Sequence, residues 1–174
     1  MPSFRTTATA VAAPVVLVAA LAGCGDGADD ADDAVDLDES LAATLMVTDT
    51  WGGVHPIAGG EADVDADAGT SVSLSAAGLG PGLEYTAHVH DGLCADNPPG
   101  GGHWLADPSG EDAPGNIVQL SFTTDADGAG ATEVASDLAL DDRAKSIVVH
   151  VPESEAQAHG SESDRVLCGD LKAA

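Results

Sequence analysis

Basic and aromatic residues are scarce in this sequence. Its 174 residues include five Lys and Arg against 30 Asp and Glu, a formal net charge of −25 at pH 7. No basic stripe is present to neutralise phosphates, so nucleic acid is not expected as a partner. Two Trp, one Tyr and two Phe leave the core to be built from Val, Leu, Ile and Ala. The acidity favours solubility and opposes long-range attraction of anions.

A long apolar run is also missing. The stretch from about Val11 to Leu21 follows Arg5 and is too short to span a bilayer as a mature helix, but it is typical of a secretory signal. Its end, 21-LAGC-24, resembles the lipobox of bacterial lipoproteins. The resemblance implies that residues 1–23 are a signal peptide and that Cys24 carries lipid. The protein would then be exported and anchored to the outer face of the cell membrane by that lipid alone. The alternative is an ordinary cleaved signal with a chance cysteine.

The segment after this run is acidic and poor in apolar residues, as 25-GDGADDADDAVDLDE-39 shows. Such a composition cannot bury enough apolar surface to fold. We therefore expect residues 24–40 to be the lipidated cysteine and a disordered linker. Residues 41–174 would form the folded domain.

Cysteine is rare, with three in the chain. Three cysteines in an exported protein would leave one odd thiol. If Cys24 carries lipid, Cys94 and Cys168 remain, and an oxidising compartment favours a disulfide between them. Closing a loop of roughly 75 residues would stabilise the fold by about 4 kcal/mol in the chain-entropy model.

From residue 41 onward, short β-like runs alternate with Gly, Asp and Pro turns. Apolar and polar residues alternate in 70-TSVSLSA-76, and 78-GLGPG-82 and 125-DADGAG-130 are strong turn signals. No segment has the pattern of a long amphipathic helix. The predicted strands are 43–49, 61–67, 70–76, 83–90, 117–124, 131–138, 145–152 and 165–172. This pattern indicates an all-β domain, an eight-stranded antiparallel Greek-key barrel or sandwich.

Three of the six histidines lie within 88-HVHDGLCADNPPGGGHW-104. His88 and His90 end a predicted strand, and residues two apart on a strand share a face. Two neighbouring imidazoles form half of a site for copper or zinc. Two solvated surface histidines are the alternative.

Two further histidines have suggestive surroundings. His103 follows three glycines, which let a backbone approach its neighbours closely, and it lies in the long irregular segment from Gly92 to Gly115. Loops of this length are usually functional or disordered. His150 ends an apolar strand, where a packed or surface histidine is also common. These facts alone do not bring the four histidines together.

A family resemblance does bring them together. The following motifs occur in the order and context of the Cu/Zn superoxide dismutases: 88-HVH-90, Cys94, 102-GH-103, 115-GN-116, 148-VVH-150 and 165-RVLCG-169. The resemblance covers roughly Leu41 to Leu171 and implies conversion of superoxide to oxygen and hydrogen peroxide. Cys94 and Cys168 would be the family disulfide, and Arg165 the catalytic arginine that guides and holds superoxide. The implied copper ligands are His88, His90, His103 and His150.

The departures from the family are informative. The segment 104-WLADPSGEDAPG-115 contains no histidine, whereas the family has two zinc-binding histidines there, and Ala113 stands at the position of the zinc aspartate. The resemblance is therefore to the copper-only branch, with mononuclear copper and no zinc. His103 would act in catalysis as well as in metal binding, with Glu111 as the expected hydrogen-bond partner and Asp112 left open as the alternative. Ser154 replaces a bracing aspartate in the loop 151–164.

His55 and His159 match nothing in the family and are predicted to be surface histidines. Three functions stay open. The first is an extracytoplasmic, copper-dependent superoxide dismutase. The second is a copper-binding envelope lipoprotein for storage or delivery, loaded by a copper donor and with little or no dismutase activity. The third is a metal-free adhesion or interaction domain.

Overall fold

The structure is a computed structural model and describes residues 40–66 and 69–174. The predicted signal peptide, the lipidation site at Cys24 and the acidic linker up to residue 39 lie outside the described residues. Within those two ranges, no helix is both long and apolar enough to cross a membrane.

The described residues form nine strands and one short helix. All eight predicted strands are present, each end within two residues of its predicted position, and the all-β prediction is confirmed. The two-residue strand β9 is additional. The elements are β1 Leu41–Val47, β2 Gly59–Asp65, β3 Thr70–Ala77, β4 Glu84–His90, β5 Gln119–Thr123, β6 Gly130–Ser136, β7 Ser146–His150, α1 Glu153–His159, β8 Arg165–Asp170 and β9 Lys172–Ala173.

The strands form one antiparallel sheet in the order β5-β4-β7-β8-β1-β2-β3-β6, with β9 pairing beside β1. The pairs β4–β7 and β3–β6 join strands that are distant in sequence, as in Greek-key barrels. The two edge strands also approach each other, because a Cβ added at Gly130 of β6 would lie 2.6 Å from Phe122 Cδ2 of β5. The sheet is therefore nearly closed.

The interior is filled mainly by aliphatic side chains, as the composition predicts. Alternation along β3 buries Val72 and Leu74 and exposes the serines between them. Both tryptophans, Trp51 and Trp104, and the tyrosine, Tyr85, are fully buried among them. The few aromatic residues therefore serve as core residues.

The outer face of β4 and β7 carries three of the histidines that were predicted to be ligands. In β4, Ala87 and Val89 face the core, so that His88 and His90 lie on the opposite face. The segment after β4 covers this outer face, which buries all five residues of β7. Ser146 Oγ, for example, donates a hydrogen bond to the Gly92 carbonyl at 2.7 Å.

The covering segment is tied to the sheet by the predicted disulfide, which is confirmed. Cys94 and Cys168 are bonded, with 5.6 Å between their Cα atoms and a sequence separation of 74. The Cys94 N–H also donates to Asp170 Oδ1 at 2.8 Å. The segment is thereby attached to β8.

The helix was not predicted from the sequence. The segment 151–164 was treated as a charged loop, but it contains α1, which follows Pro152 and carries Glu153 and Glu155 in its first turn. Gly160 ends the helix with φ of 62° and donates to the carbonyls of Ala156 and Gln157. Proline before a first turn with acidic residues and glycine after the last turn are ordinary helix boundary signals. The helix is too short for a periodic pattern to reveal it.

Candidate metal centre

Neighbouring strands place three of the predicted ligands on one face. In the antiparallel pairing of β4 and β7, His88 lies opposite Val148 and His150 lies opposite Thr86. His150 is therefore diagonal to His88. The fourth histidine arrives from the covering segment, because His103 forms an isolated β-bridge with His90.

The four imidazoles form one compact cluster. One nitrogen from each of the four rings can be chosen so that all four atoms lie within 4.8 Å of one another. The ring centroid of His103 is 4.4 Å from that of His88 and 4.7 Å from that of His90. His90 Nε2 lies 3.3 Å from His150 Nε2. This arrangement can hold a metal ion.

Burial keeps the two β4 histidines neutral. Desolvation, reinforced by the charges of His103 and His150 when they are protonated, lowers the pKa of His88 to about 4. Desolvation, followed by charge from His150, His103 and Arg165, also holds the pKa of His90 far below its usual value. Neutral imidazole is the form that binds a metal.

Two buried nitrogen atoms in the cluster lack a partner. Within the described residues, His88 Nδ1 and His90 Nδ1 are buried without a hydrogen bond. Buried polar atoms are usually paired, and an exception needs an explanation. A bound metal ion would use the nitrogen atoms that face the cluster.

His103 is oriented by a carboxylate, which belongs to Asp112, the alternative residue, and not to the expected Glu111. Its Nδ1 lies 2.8 and 3.0 Å from the carboxylate oxygens of Asp112. Glu111 instead contributes its backbone carbonyl, which accepts from Asn116 Nδ2 at 3.0 Å. Because Asn116 holds the turn in this way, the following residue, Asp112, reaches His103. An ionised carboxylate only accepts, so the proton lies on Nδ1 and Nε2 is left as the ligand atom.

A second carboxylate contacts the ligand at the end of β7. Asp164 Oδ1 lies 3.2 Å from His150 Nδ1. This contact with His150 holds the pKa of Asp164 below its ordinary value. Sequence reasoning did not single out Asp164, although it directly precedes Arg165 and could have been considered for that reason.

Arg165 lies close to the cluster. Its guanidinium donates to the carbonyls of Pro99 and Gly101, which lie in the segment just before His103. Its positive charge also contributes to the low pKa of His90. A half-buried cation therefore lies next to the four imidazoles.

The remaining two histidines lie apart from the cluster. His159 is exposed, as predicted, and meets Trp51 edge-on at 5.9 Å between ring centroids. The surface prediction for His55 is wrong, because this residue is buried and stacks on Trp51 at 5.8 Å. Its Nε2 lies 2.9 Å from Glu155 Oε1. The unpredicted helix α1 carries that carboxylate and so accounts for the burial.

Comparison with known proteins identifies no relative: no family model matches the chain, and no curated protein matches it either. The function of the chain is therefore argued from the residues of the site. The histidine cluster, its two carboxylates and Arg165 are the features that bear on it.

Proposed function

We propose that this chain is an exported, lipid-anchored superoxide dismutase with a mononuclear copper site. The observation that carries the proposal is the four-histidine cluster with a guanidinium beside it. The sequence resemblance to the Cu/Zn superoxide dismutases supports the same ligands and the same arginine. The anchor and the export are inferred from the amino-terminal sequence.

The residues of the cluster fit copper. The donor set is all imidazole, a ligand that suits copper in both oxidation states. Four ring nitrogens within 4.8 Å of one another and two histidines held neutral by burial are features of a site built for a metal. Copper, when bound, supplies one-electron cycling between Cu(II) and Cu(I), which is what dismutation of superoxide requires.

A second metal is not part of the proposal. The side of His103 that points away from the cluster is engaged by the Asp112 carboxylate. Across residues 40–66 and 69–174, only one group of three or more histidine, cysteine or acidic residues has metal-binding geometry, and it is the four-histidine cluster. This supports a site without zinc.

The residues around the cluster would perform two tasks. Arg165 presents a fixed positive charge, and a half-buried guanidinium attracts and orients a small anion such as superoxide. His103 holds a proton at Nδ1 against Asp112, and its side chain is 23% exposed whereas that of His150 is 8% exposed. His103 is therefore the ligand at which a proton can exchange with solvent.

The proposal is tested by loading the protein with copper and measuring metal content and dismutase activity on the same sample. We expect about one copper per chain, no stoichiometric zinc and clear activity. Arg165→Glu should retain copper and lose most activity. Lys172→Glu makes the same charge reversal at an exposed position in β9 and should keep both. If the unmodified protein binds copper but shows no activity, the proposal that it is a superoxide dismutase is overturned.

One observation favours the second function, a copper-storage or delivery lipoprotein. The side chains of Asp112 and Asp164 are each 55% exposed beside the cluster. Two carboxylates at the rim oppose the entry of an anion and favour the entry of a copper cation from a donor. Transfer of copper to an apo-acceptor by the fully loaded but inactive protein would establish this function instead.

A further inference from the structure

Asp164 is held in place from several directions. The Val151 N–H donates to the Asp164 carbonyl at 2.7 Å. On either side of it, Trp51 Nε1 donates to the Ser163 carbonyl at 2.9 Å and Thr48 Oγ1 donates to the Arg165 carbonyl at 2.7 Å. The backbone that carries the Asp164 side chain is therefore anchored to core residues, although the side chain itself is partly exposed.

A β-bulge directs this segment toward the cluster. Between β7 and β8, Val149 pairs with Leu167 but His150 pairs with Arg165, so the register skips Val166. A bulge changes the direction of a strand at the point where it occurs, and bulges often lie beside functional sites. Here it brings the residue before β8 alongside the residue that ends β7.

The contact settles which nitrogen of His150 faces the cluster. An ionised carboxylate has only acceptors, so His150 Nδ1 carries the proton and Nε2 carries the lone pair. Nε2 is also the atom that lies 3.3 Å from His90 Nε2, inside the cluster. A carboxylate behind a ligand histidine fixes its orientation and raises its basicity as a ligand. A more basic ligand stabilises the more highly charged metal ion more strongly.

We propose that Asp164 is a positioning residue for His150. Asp164 holds the Nε2 atom of His150 toward the metal and thereby favours binding of Cu(II) over Cu(I). The inference rests on the proposed copper site and deepens it. Asp164 and Arg165 are adjacent and of opposite charge, and they act on different partners. Asp164 would orient the ligand His150, whereas Arg165 would attract superoxide. The same anchored stretch of backbone orients both side chains.

The test compares two substitutions with a matched control. Asp164→Asn keeps the size and one acceptor oxygen but removes the charge, whereas Asp164→Ala removes both. Glu162→Gln removes one negative charge from an exposed position in the same loop and serves as the control. For each protein, Cu(II) and Cu(I) affinities are measured by chelator competition, and the copper midpoint potential by redox titration.

We expect Asp164→Ala to lower Cu(II) affinity by about 10–100-fold, the usual effect of losing a partner behind a ligand. Cu(I) affinity should fall less. A tenfold loss in the ratio of Cu(II) to Cu(I) affinity corresponds to a midpoint potential about 59 mV higher. Asp164→Asn should show an intermediate shift, and Glu162→Gln none.

The proposal is overturned if both Asp164 variants keep the affinities and potential of the unmodified protein. It is also overturned if Glu162→Gln shifts them as much as Asp164→Asn does, because the effect would then be one of net charge. If the unmodified protein binds copper but lacks dismutase activity, the proposed dismutase function is overturned. In that case the affinities and potentials still decide the role of Asp164. An unmodified protein that binds no copper overturns both.

Discussion

The Tyr85 hydroxyl donates a hydrogen bond to Glu155 Oε2 at 2.9 Å and so joins β4 to α1. His55 contacts the other oxygen of the same carboxylate, and the Gly80 N–H donates to the tyrosine oxygen. Burial and the neighbouring Glu155 carboxylate raise the pKa of Tyr85 well above its ordinary value. The buried carboxylate is thus fully paired, and it fixes the helix that lies between His150 and Asp164 in the chain.

Removing the Glu155 carboxylate should destabilise the fold. Glu155→Ala leaves the Tyr85 O–H without an acceptor and His55 Nε2 without a partner, although the Gly80 N–H still donates to the tyrosine oxygen. Each lost buried partner costs about 1–3 kcal/mol. Urea unfolding measures the loss. Glu153→Ala is the matched control on the exposed side of α1 and should change stability by about 0.5 kcal/mol or less. Equal effects of the two substitutions would show that the buried network adds no stability.

The strands could be predicted because their pattern is local. In β3, Val72 and Leu74 alternate with serines, and the turn residues that follow mark its end. The environment of His55 could not be predicted in this way. Its burial depends on Glu155, which is 100 residues distant and lies on a helix of only seven residues.

The metal site was predictable to different degrees. The spacing of His88 and His90 alone places both on one strand face, whereas His103 and His150 were assigned by resemblance. The carboxylates depend on local backbone geometry. A single turn held by Asn116 decides between Glu111 and Asp112, and a bulge decides that Asp164 reaches His150. Neither feature has a signature in sequence alone.

The individual histidines should differ sharply in their effect on copper. His103→Ala and His150→Ala each remove one of the four clustered imidazoles. Losing only the hydrogen-bond partner behind a ligand weakens metal binding by about 10–100-fold, so that losing the ligand itself should weaken copper binding by at least about tenfold. His159→Ala is the matched control and should bind copper normally. His55→Ala should also bind copper but unfold more easily, since it removes a buried partner of Glu155. Loss of copper in His159→Ala would contradict the ligand assignment. Chelator competition gives the affinities.

Gly100 should be required for its close approach to the cluster. Its φ is 84°, and an added Cβ would lie 2.5 Å from Val148 Cγ2 and 3.3 Å from His90 Nδ1. Gly100→Ala should therefore destabilise the fold by about 1–3 kcal/mol through overpacking, in addition to the strain of the backbone. It should also weaken copper binding. Gly82→Ala is the control, since its φ is 68° but a Cβ there would meet nothing within 4 Å. If both variants bind copper equally well and unfold alike, the close approach at Gly100 does not matter.

Breaking the disulfide should loosen the segment that carries His103. Replacing Cys94 and Cys168 together by serine removes a cross-link between residues 74 positions apart, worth about 4 kcal/mol in the chain-entropy model. Thermal unfolding under oxidising conditions measures the loss. Adding a reductant to the unmodified protein should reproduce it and should leave the double variant unchanged. An unmodified protein that is insensitive to reductant would show that the cross-link adds little.

The last prediction concerns the arrival of superoxide. Superoxide, the proposed substrate, is an anion, and the protein carries a net charge of −25, with Asp112 and Asp164 at the rim of the cluster. Exposed charges are screened over about 8–10 Å near physiological ionic strength. Added salt should therefore weaken a long-range repulsion while leaving the short-range pull of Arg165 largely intact. The dismutation rate of the copper-loaded protein should stay level or rise with salt, as followed by stopped-flow decay of superoxide. Glu162→Gln, which removes an exposed negative charge from the loop that leads to Asp164, should raise the rate at low salt and flatten its salt dependence. A rate that falls steeply with salt would mean that attraction governs the approach, which the charge distribution around Arg165 does not support.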